Sequence, residues 1–253
     1  MIRTVVSKLR RILPRTVRPH RIRGGPLRGC LIHASWQDYP RAILGRAEPE
    51  LIEWFQANVE PGETWLDVGA HYGYTALALS RLVGEDGRVF AFEPVIGTAG
   101  HLARTRAANA LERLVVVPLA LGDERKLTLV RDVCLYRGMA QMTATSVAGE
   151  GVVSVALDCL WPGLCGNDTT VSGVKIDVQG LEVAVLRGMV EILRRQRPKL
   201  VVEYHGQADL EALLQVVDDA GYRRDARPLE APRAGEDDAR FRHARNYEFH
   251  VAD

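Results

Sequence analysis

The sequence predicts an α/β protein built on a doubly wound, mainly parallel sheet. From about residue 63, short apolar runs alternate with amphipathic stretches, a pattern typical of a sheet covered by helices on both faces. The first run leads through a glycine-spaced turn into a helical pattern. The 253 residues, 47% of them hydrophobic, suffice for one large core. We expect a main domain at residues 46–253, preceded by a basic arm and a helical or loop cover at residues 1–45.

The predicted elements follow in a regular order. Each strand is a short apolar run, and each helix places apolar residues three and four positions apart. The predicted strands are "TWLDVGA" (64–70), "GRVFAFEP" (87–94), "LVVVPLALGD" (114–123), "GVKIDVQG" (173–180), "KLVVEYHG" (199–206) and "NYEFHVA" (246–252). The predicted helices are 74–82, 97–111, a stretch with Val185, Leu186, Met189, Ile192 and Leu193 on one face, and a last one from Leu210 to about Gly221, a glycine that ends it.

An insertion at about residues 124–172 interrupts this alternation, because the segment is too long for a plain crossover. The polar run "QMTATSVAGEG" (141–151) predicts a mobile loop. The next run, "VVSVALDCL" (152–160), alternates apolar and polar residues, which predicts an inserted strand or hairpin.

The N-terminal arm concentrates positive charge. Residues 1–28 hold nine basic side chains and no acidic one, although the whole chain carries a formal charge of only +1. Residues 2–13 predict a basic amphipathic helix that Pro14 ends. Contact with a membrane surface is one interpretation, but a helix packed on its own domain with a solvated basic face is favoured. The overall charge balance gives no reason to expect a nucleic-acid partner.

The compartment is predicted from two further features. Charged residues interrupt the apolar run that a secretory signal needs, and no apolar run is long enough to cross a membrane. The cysteines show neither a CxxC pair nor a histidine-linked metal spacing, so they are interpreted as reduced thiols: Cys30, Cys134, Cys159 and Cys165. We therefore expect a cytoplasmic protein, either a monomer or a homodimer.

The turn in "WLDVGAHYGYT" (65–75) predicts a cofactor site. Gly69 and Gly73 allow a tight turn from a strand into a helix N-terminus, whose N–H groups attract an anion. A dinucleotide site would have GxGxxG spacing, and Asp67 would repel a pyrophosphate. S-adenosylmethionine suits the turn better, since it offers an ammonium group to Asp67 and a carboxylate to the helix.

Two later strand ends complete this prediction. Glu93 ends the second strand, where an acidic side chain accepts hydrogen bonds from both ribose hydroxyls. Asp123, just past the third strand, is a candidate acceptor for the adenine amino group. The full set of predicted cofactor-binding residues is Asp67, Gly69, His71, Gly73, Tyr74, Glu93, Pro94, Leu121, Gly122 and Asp123.

These stretches resemble the FkbM family of S-adenosylmethionine-dependent methyltransferases. The resembling residues are "LDVGAHYGYTAL" (66–77), "GRVFAFEP" (87–94), "LALGD" (119–123), "VALDCL" (155–160), "VKIDVQGLEVAVLRG" (174–188) and "LVVEYH" (200–205). The resemblance implies a class I (Rossmann-like) methyltransferase fold with a seven-stranded sheet whose last strand is antiparallel. It also implies O-methylation of a hydroxyl on a natural product or a carbohydrate. The family commonly has Asn at the position of His71 and Glu at that of Gln179.

Catalytic candidates must lie at the carboxyl ends of the strands, beside the cofactor. Asp177 occupies the fourth-strand position that class I methyltransferases use for substrate chemistry. Glu203 and His205 lie two residues apart, so an extended strand points both to one face. We predict Asp177 or His205 as proton acceptor, with Glu203 orienting the substrate. A loop histidine without chemistry is an equal alternative for His205, and Glu182 is as readily a helix-capping residue as a catalytic one.

The same three side chains offer ligands for Mg²⁺. A divalent metal is nevertheless not favoured, because no second clustered carboxylate motif accompanies them, and no metal ligand is predicted. Lys175 either pairs with a carboxylate across the sheet or simply flanks it.

The substrate is expected to be a hydroxylated small molecule or a saccharide. Its predicted contacts come from the glycine turn, from residues 33–43 and from the insertion: Tyr72, Trp36, Tyr39, Tyr136 and Arg137, with Met139 and Met142 as further wall candidates. The alternatives are N-methylation, methylation of a protein side chain, and a non-catalytic cofactor-binding module that docks through its basic arm.

Overall fold

The computed structural model describes residues 13–134, 139–142, 150–166, 169–206, 208–231, 241 and 245–252, with the backbone alone described for 129–134 and 139–142. The predicted N-terminal helix lies outside these residues, except for its last position, as do Tyr136, Arg137 and most of the predicted loop at 141–151. Within the described ranges, no helix has both the length and the apolar character that a membrane crossing requires.

The strands fall into three sheets. In chain order they are β1 Arg18–Arg21, β2 Leu31–Ala34, β3 Thr64–Val68, β4 Arg88–Phe92, β5 Leu114–Val117, β6 Ala120–Leu121, β7 Lys126–Cys134, β8 Met139–Met142, β9 Glu150–Val155, β10 Gly173–Ile176, β11 Lys199–Tyr204, β12 Arg227–Pro228 and β13 Arg245–Phe249. The main sheet has seven strands in the order β12-β13-β11-β10-β3-β4-β5. Only β13 runs antiparallel to its neighbours, β11 and β12. The prediction of a seven-stranded, doubly wound sheet with an antiparallel last strand is confirmed.

Helices cover both faces of this sheet. In chain order they are α1 Pro40–Ile43, α2 Pro49–Asn58, α3 Tyr74–Val83, α4 Ile96–Ala108, α5 Leu157–Cys165, α6 Glu182–Arg187, α7 Val190–Gln196 and α8 Leu210–Asp219. One apolar cluster packs α5 to α8 against one face, and the other packs α2, α3 and the N-terminal segment against the opposite face. All five residues of β3 are buried because the strand lies between these two cores.

The single helix predicted around residues 185–193 is two helices. The apolar residues predicted to share a face are all buried. The first helix ends at Arg187 because the next residue, Gly188, packs closely against Gly122. A Cβ on Gly188 would lie 1.8 Å from the Gly122 carbonyl oxygen. This contact joins the fourth-strand crossover to the loop after β6, and the helical periodicity of the sequence gives no sign of it.

The insertion forms a small sheet of its own. Strands β6, β9, β7 and β8 pair in that order, so the inserted strand is confirmed for residues 152–155. The strand prediction was wrong for 157–160, which begin α5, where Asp158 accepts hydrogen bonds from the N–H groups of Glu191 and Ile192 at 3.0 Å. The predicted third strand also divides, because Pro118 cannot donate to the main sheet. Leu121 therefore belongs to the small sheet.

The N-terminal cover, residues 18–48, is anchored to the main domain. Its antiparallel hairpin β1–β2 lies along α4. The His33 N–H donates to Thr105 Oγ1 at 3.0 Å, and Asn109 bonds both the N–H and the carbonyl of Leu31. These bonds place the following residues, 35–48, beside the glycine turn.

Candidate active site

A buried ion pair lies where β3 and β10 run side by side. Their register places Lys175 opposite Asp67, and the ammonium nitrogen lies 3.1 Å from Asp67 Oδ1. Asp67 is 0% exposed and also accepts a hydrogen bond from the Thr75 hydroxyl at 2.6 Å. Burial alone would lower the pKa of Lys175, but the carboxylates of Asp67 and Asp177 outweigh it and raise the pKa. Lys175 therefore stays charged and pairs across the sheet.

These contacts give Asp67 a structural role. Its carboxylate lies inside the protein, with Lys175 on one oxygen and Thr75, in the first turn of α3, on the other. The observed role is to tie the end of β3 to α3. A direct contact between Asp67 and the cofactor ammonium stays a prediction.

The glycine turn depends on close approaches that only glycine permits. Gly69 (φ 80°) and Gly73 (φ 88°) both have left-handed backbones. A Cβ would lie 1.8 Å from the Asp177 carbonyl oxygen at Gly69, and 2.1 Å from Leu102 Cδ1 at Gly73. Lys175 donates to the Gly69 carbonyl at 3.2 Å. Since no side chain caps α3 at Gly73, the first-turn N–H groups suit the carboxylate of a bound cofactor.

Glu93 lies beside this turn, as predicted. Its two carboxylate oxygens accept hydrogen bonds from the N–H groups of Val95 and His71, each at 3.0 Å. Burial, only partly opposed by these bonds, raises its pKa to about 7. A carboxylate has about four lone-pair sites, so two remain for ribose hydroxyls. The residues present therefore fit S-adenosylmethionine at this end of the sheet.

The predicted adenine end is less defined. Leu121 is 4% exposed and packs in the core, and the Gly122 N–H donates to the Val155 carbonyl. Asp123 is exposed. Pro94, half-buried, leads into α4, whose first N–H, at Ile96, donates to Glu150 of the small sheet. Contacts between this region and adenine stay predictions.

The three predicted catalytic residues meet at the carboxyl edge of the sheet. His205 Nε2 lies 3.5 Å from Glu203 Oε1 and 3.7 Å from Asp177 Oδ1. Asp177 Oδ2 lies 3.8 Å from the Lys175 ammonium, which links the trio to the buried pair. Each of the three side chains keeps between 14% and 24% of its surface exposed, so a substrate can reach them.

Glu182 and Gln179 hold this trio in place. Glu182 is fully buried and accepts hydrogen bonds at 2.9 Å from the Gly180 N–H and from His205 Nδ1, so it fixes the turn that leads into α6 and serves as a histidine partner. The Gln179 amide nitrogen donates to Asp177 Oδ1 at 2.9 Å and lies 2.8 Å from His205 Nε2. Gln179 has a left-handed backbone (φ 55°), which turns its side chain back toward the strand end.

The neighbouring carboxylates determine the protonation state of His205. Burial lowers its pKa, but hydrogen bonds to Glu182 and Glu203 and the charge of Asp177 outweigh burial and raise the pKa to about 10. The amide contact with Gln179 fits an unprotonated Nε2, because an amide nitrogen only donates. We favour the imidazolium at neutral pH, since three carboxylates surround the ring, and the Gln179 amide must then turn away from Nε2. His205 in this state is a poor proton acceptor.

Glu48, which the sequence reasoning missed, joins the same site from the N-terminal cover. Its carboxylate is buried, with Oε1 3.3 Å from the Tyr39 hydroxyl and Oε2 lacking a hydrogen-bond partner. Burial raises its pKa to about 8, Lys175 opposes the rise, and Asp177 and Glu203 add to it. An αL backbone (φ 44°) directly before Pro49 is unusual and costly. No sequence spacing or motif identifies Glu48 as a site residue, because its position depends on how the N-terminal cover folds over the sheet.

The predicted substrate residues divide into two groups. Tyr39 lies at the site, where its ring packs edge-on against the His71 ring with 5.3 Å between the ring centroids, and burial lowers the pKa of His71 to about 4. Tyr72 is 0% exposed and Tyr74 is 1% exposed, so both side chains belong to the core and a side-chain contact of Tyr72 with substrate does not fit the structure. A contact of Tyr74 with the cofactor through its N–H, in the first turn of α3, stays a prediction. Trp36 packs against His20 and Arg23, away from this group.

A family assignment follows from comparison with known proteins. The model of the methyltransferase FkbM domain matches residues 67–224, which is more than half of the chain. The chain belongs to the FkbM methyltransferase family. As an FkbM protein it is an S-adenosylmethionine-dependent methyltransferase, and the match spans the glycine turn, Glu93 and the trio of Asp177, Glu203 and His205. It begins after Glu48, so the N-terminal cover is not part of the matched domain.

Solved structures show the same fold. An FkbM methyltransferase from Methylobacillus flagellatus KT is 17% identical at a TM-score of 0.51, covering 79% of this chain and 50% of that one. Fibrillarin from Aeropyrum pernix, with natively bound S-adenosyl-L-methionine, is 13% identical at a TM-score of 0.50, covering 93% and 82%. This FkbM chain thus spans half the length of the Methylobacillus structure. No curated protein matches it.

The trio also has the spacing of a metal site. One ligand atom from each of Asp177, Glu203 and His205 lies within 4.8 Å of the others. The Lys175 ammonium beside Asp177 and the imidazolium of His205 disfavour a cation at this position. These two positive charges already offset part of the negative charge of the carboxylates, so a divalent metal stays the less favoured alternative.

Proposed function

We propose that this FkbM protein transfers the methyl group of S-adenosylmethionine to a hydroxyl of a natural-product or saccharide-type small molecule. The observation that carries the proposal is a group of carboxylates, Asp177, Glu203 and Glu48, beside the glycine turn. When bound, the cofactor supplies a methyl group already activated on a sulfonium. An alcohol is a poor nucleophile while it keeps its proton, so a base within hydrogen-bond reach aids the reaction.

The acceptor of that proton is proposed to be a carboxylate. Of the two predicted acceptors, Asp177 and His205, the proposal favours the carboxylate, because the carboxylates around His205 raise its pKa to about 10 and favour the imidazolium. Burial and the neighbouring Asp177 raise the pKa of Glu203, which makes it a stronger base than an ordinary glutamate. Asp177 and Glu203 together take up the hydroxyl proton, and the His205 cation, fixed by Glu182, stabilises the pair in its charged form.

Tyr39 and Glu48 are proposed to contact the acceptor from the cover side. The carboxyl group of Glu48 is mostly protonated at pH 7, because its pKa is about 8, so its free oxygen can donate a hydrogen bond to a second hydroxyl, which suits a polyhydroxylated molecule. Water exclusion and alignment then come from the ring of Tyr39 and the neighbouring ring of His71.

The test is an assay with methyl-labelled S-adenosylmethionine and a panel of sugars, glycolipids and polyketides, with and without chelator. Asp177→Asn and Glu203→Gln are expected to lower kcat by about 100-fold or more while leaving calorimetric binding of S-adenosylhomocysteine unchanged. Glu191→Gln, half-exposed on α7, is the matched control. Full turnover in both variants would contradict the proposed base, label recovered on nitrogen would contradict O-methylation, and activity lost to chelator would establish the metal alternative.

A further inference from the structure

A cavity of about 400 Å³ opens in the N-terminal cover, formed by β1, the loop that follows it and α1. This volume is within the range of small-molecule sites. The apolar part of its lining is Ile22 and Ile43, each 1% exposed. The rest of the lining is mainly basic: His20, Arg21, Arg23 and Arg28. None of the residues placed at the methyl-transfer site lines this cavity.

No residue that the structure describes neutralises the positive charge of this cavity. Among the residues that the structure describes, no carboxylate forms an ion pair with Arg21, Arg23 or Arg28. Burial lowers the pKa of His20, and the nearby Arg18 and Arg23 lower it further. The cavity therefore has a positive potential although the whole chain is close to neutral.

Several contacts hold the guanidinium groups and their loop in position. Arg21 donates to the Gly29 carbonyl at 2.8 Å, which uses one of its five N–H groups. The Arg23 guanidinium lies 4.9 Å from the centre of the Trp36 ring, within cation–π range. The loop closes on itself through the bonds from the Ile22 N–H to the Cys30 carbonyl and from the Gly29 N–H to the Ile22 carbonyl. Restrained guanidinium groups lose less entropy when a ligand binds.

His20, which also lines the cavity, is held under the arginine-bearing loop. Its Nε2 is buried without a hydrogen-bond partner, while the ring bonds the backbone of Ala34. Because this nitrogen is closed off from solvent, the exposed guanidinium groups of Arg21, Arg23 and Arg28 are the polar groups that a ligand can contact.

We propose that this cavity binds the phosphoryl group of an anionic ligand. Guanidinium forks match phosphate oxygens in pairs, and three arginines line this one cavity. The ligand is either a soluble phosphate or diphosphate ester or the headgroup of a phospholipid, since both present the same oxygens. This site would also explain part of the basic N-terminal segment, which has no role in the proposed methyl transfer.

The test is calorimetric titration of the full chain with inorganic pyrophosphate at low ionic strength. We expect saturable binding with one site per chain. Arg23→Gln/Arg28→Gln is expected to weaken it by about tenfold or more for each arginine. Arg113→Gln/Arg187→Gln, which removes two exposed arginines elsewhere, is the matched control and should bind within about twofold of wild type. Thermal melting confirms that the variants are folded.

Vesicles then distinguish the two sources of phosphate. Phosphatidylglycerol vesicles that displace pyrophosphate from the wild type, while phosphatidylcholine vesicles do not, identify a lipid headgroup. Pyrophosphate that stays bound identifies a soluble phosphate ester. Absence of saturable binding, or equal weakening in both arginine pairs, would overturn the proposal. Binding of S-adenosylhomocysteine, measured in the same samples, should be the same in all of them, so failure here is distinct from failure of the proposed methyl transfer.

Discussion

Lys175 is a buried cation held by oxygen atoms on several sides. Lys175→Met removes the partner of Asp67 and leaves an uncompensated charge in the core. We expect the free energy of unfolding to fall by about 3–5 kcal/mol, measured by urea denaturation at pH 7. Adding Asp67→Asn should recover much of this loss, because the double variant no longer buries a lone carboxylate.

Lys199 provides the control for this prediction. Its ammonium lies 2.7 Å from Glu63, but 36% of its side chain is exposed. Lys199→Met should therefore cost only about 1 kcal/mol or less. Equal losses in the two lysine variants would show that burial of the Lys175 pair does not determine its energetic weight.

Glu48 should make the protein less stable as pH rises. Its folded-state pKa of about 8 exceeds the ordinary value of 4.5, so the folded state holds the proton more tightly than the unfolded state does. The resulting stabilisation is complete below pH 4.5 and is lost as pH rises through 8. Glu48→Gln removes this loss, so its advantage over wild type should grow to on the order of 3 kcal/mol by pH 8.5.

Urea denaturation at pH 5, 7 and 8.5 measures this difference. Glu50→Gln changes an exposed residue two positions further along, in the first turn of α2, and should follow the wild-type pH dependence. A Glu48→Gln advantage that does not change with pH would contradict the raised pKa. The prediction concerns stability alone and holds whatever the acceptor is.

Residues of the site were predictable where they lie at strand ends. Asp177, Glu203 and His205 were placed together because parallel strands bring their carboxyl ends to one edge. Glu48 was not, since its position depends on how the cover folds over the sheet. The protonation of His205 also depended on tertiary structure, because Glu182 approaches it from a different element.

The glycine turn leaves no room for a side chain at Gly69. Gly69→Ala would introduce a Cβ 1.8 Å from the Asp177 carbonyl oxygen in a left-handed backbone. We expect a loss of about 3 kcal/mol or more in the free energy of unfolding. Calorimetry should show S-adenosylhomocysteine binding weakened by about tenfold or more, because the turn must move.

Gly84 provides a control that distinguishes the cost of a left-handed backbone from the cost of the close approach at Gly69. It also has a positive φ, 69°, but a Cβ there would meet nothing within 4 Å. Gly84→Ala should cost about 1–2 kcal/mol and leave cofactor-product binding unchanged. Similar binding losses in the two variants would contradict a specific role for the Gly69–Asp177 contact.

At the level of elements, periodicity predicted the long segments and failed on the short ones. Strands β3, β4, β10 and β11 lie within their predicted ranges because each is a continuous apolar run. The run at 157–160 alternates like a strand, yet it begins α5, and four residues cannot distinguish the two periods. The hairpin β1–β2 was missed because each strand has only four residues, β1 is basic, and β2 depends on α4 for hydrogen bonds.

For the whole molecule, cofactor binding should raise stability by mass action. S-adenosylhomocysteine at 100 times its Kd should add about 2.7 kcal/mol to the free energy of unfolding, because it binds the folded state alone. Glu93→Gln at the same ligand concentration should lose most of this gain, since the carboxylate that would hold the ribose is gone. Thermal melting with and without ligand measures both. A full gain in the variant would contradict the ribose role of Glu93.

The sequence by itself determined the fold class, the glycine turn and the order of the site strands, because these depend on local periodicity and chain direction. Tertiary structure alone decided which charges meet. The Lys175–Asp67 pair, the Glu182–His205 contact and the entry of Glu48 join segments between 23 and 127 residues apart along the chain. Such contacts arise from strand register and from packing of the cover, and in a buried site they also set the pKa of each group.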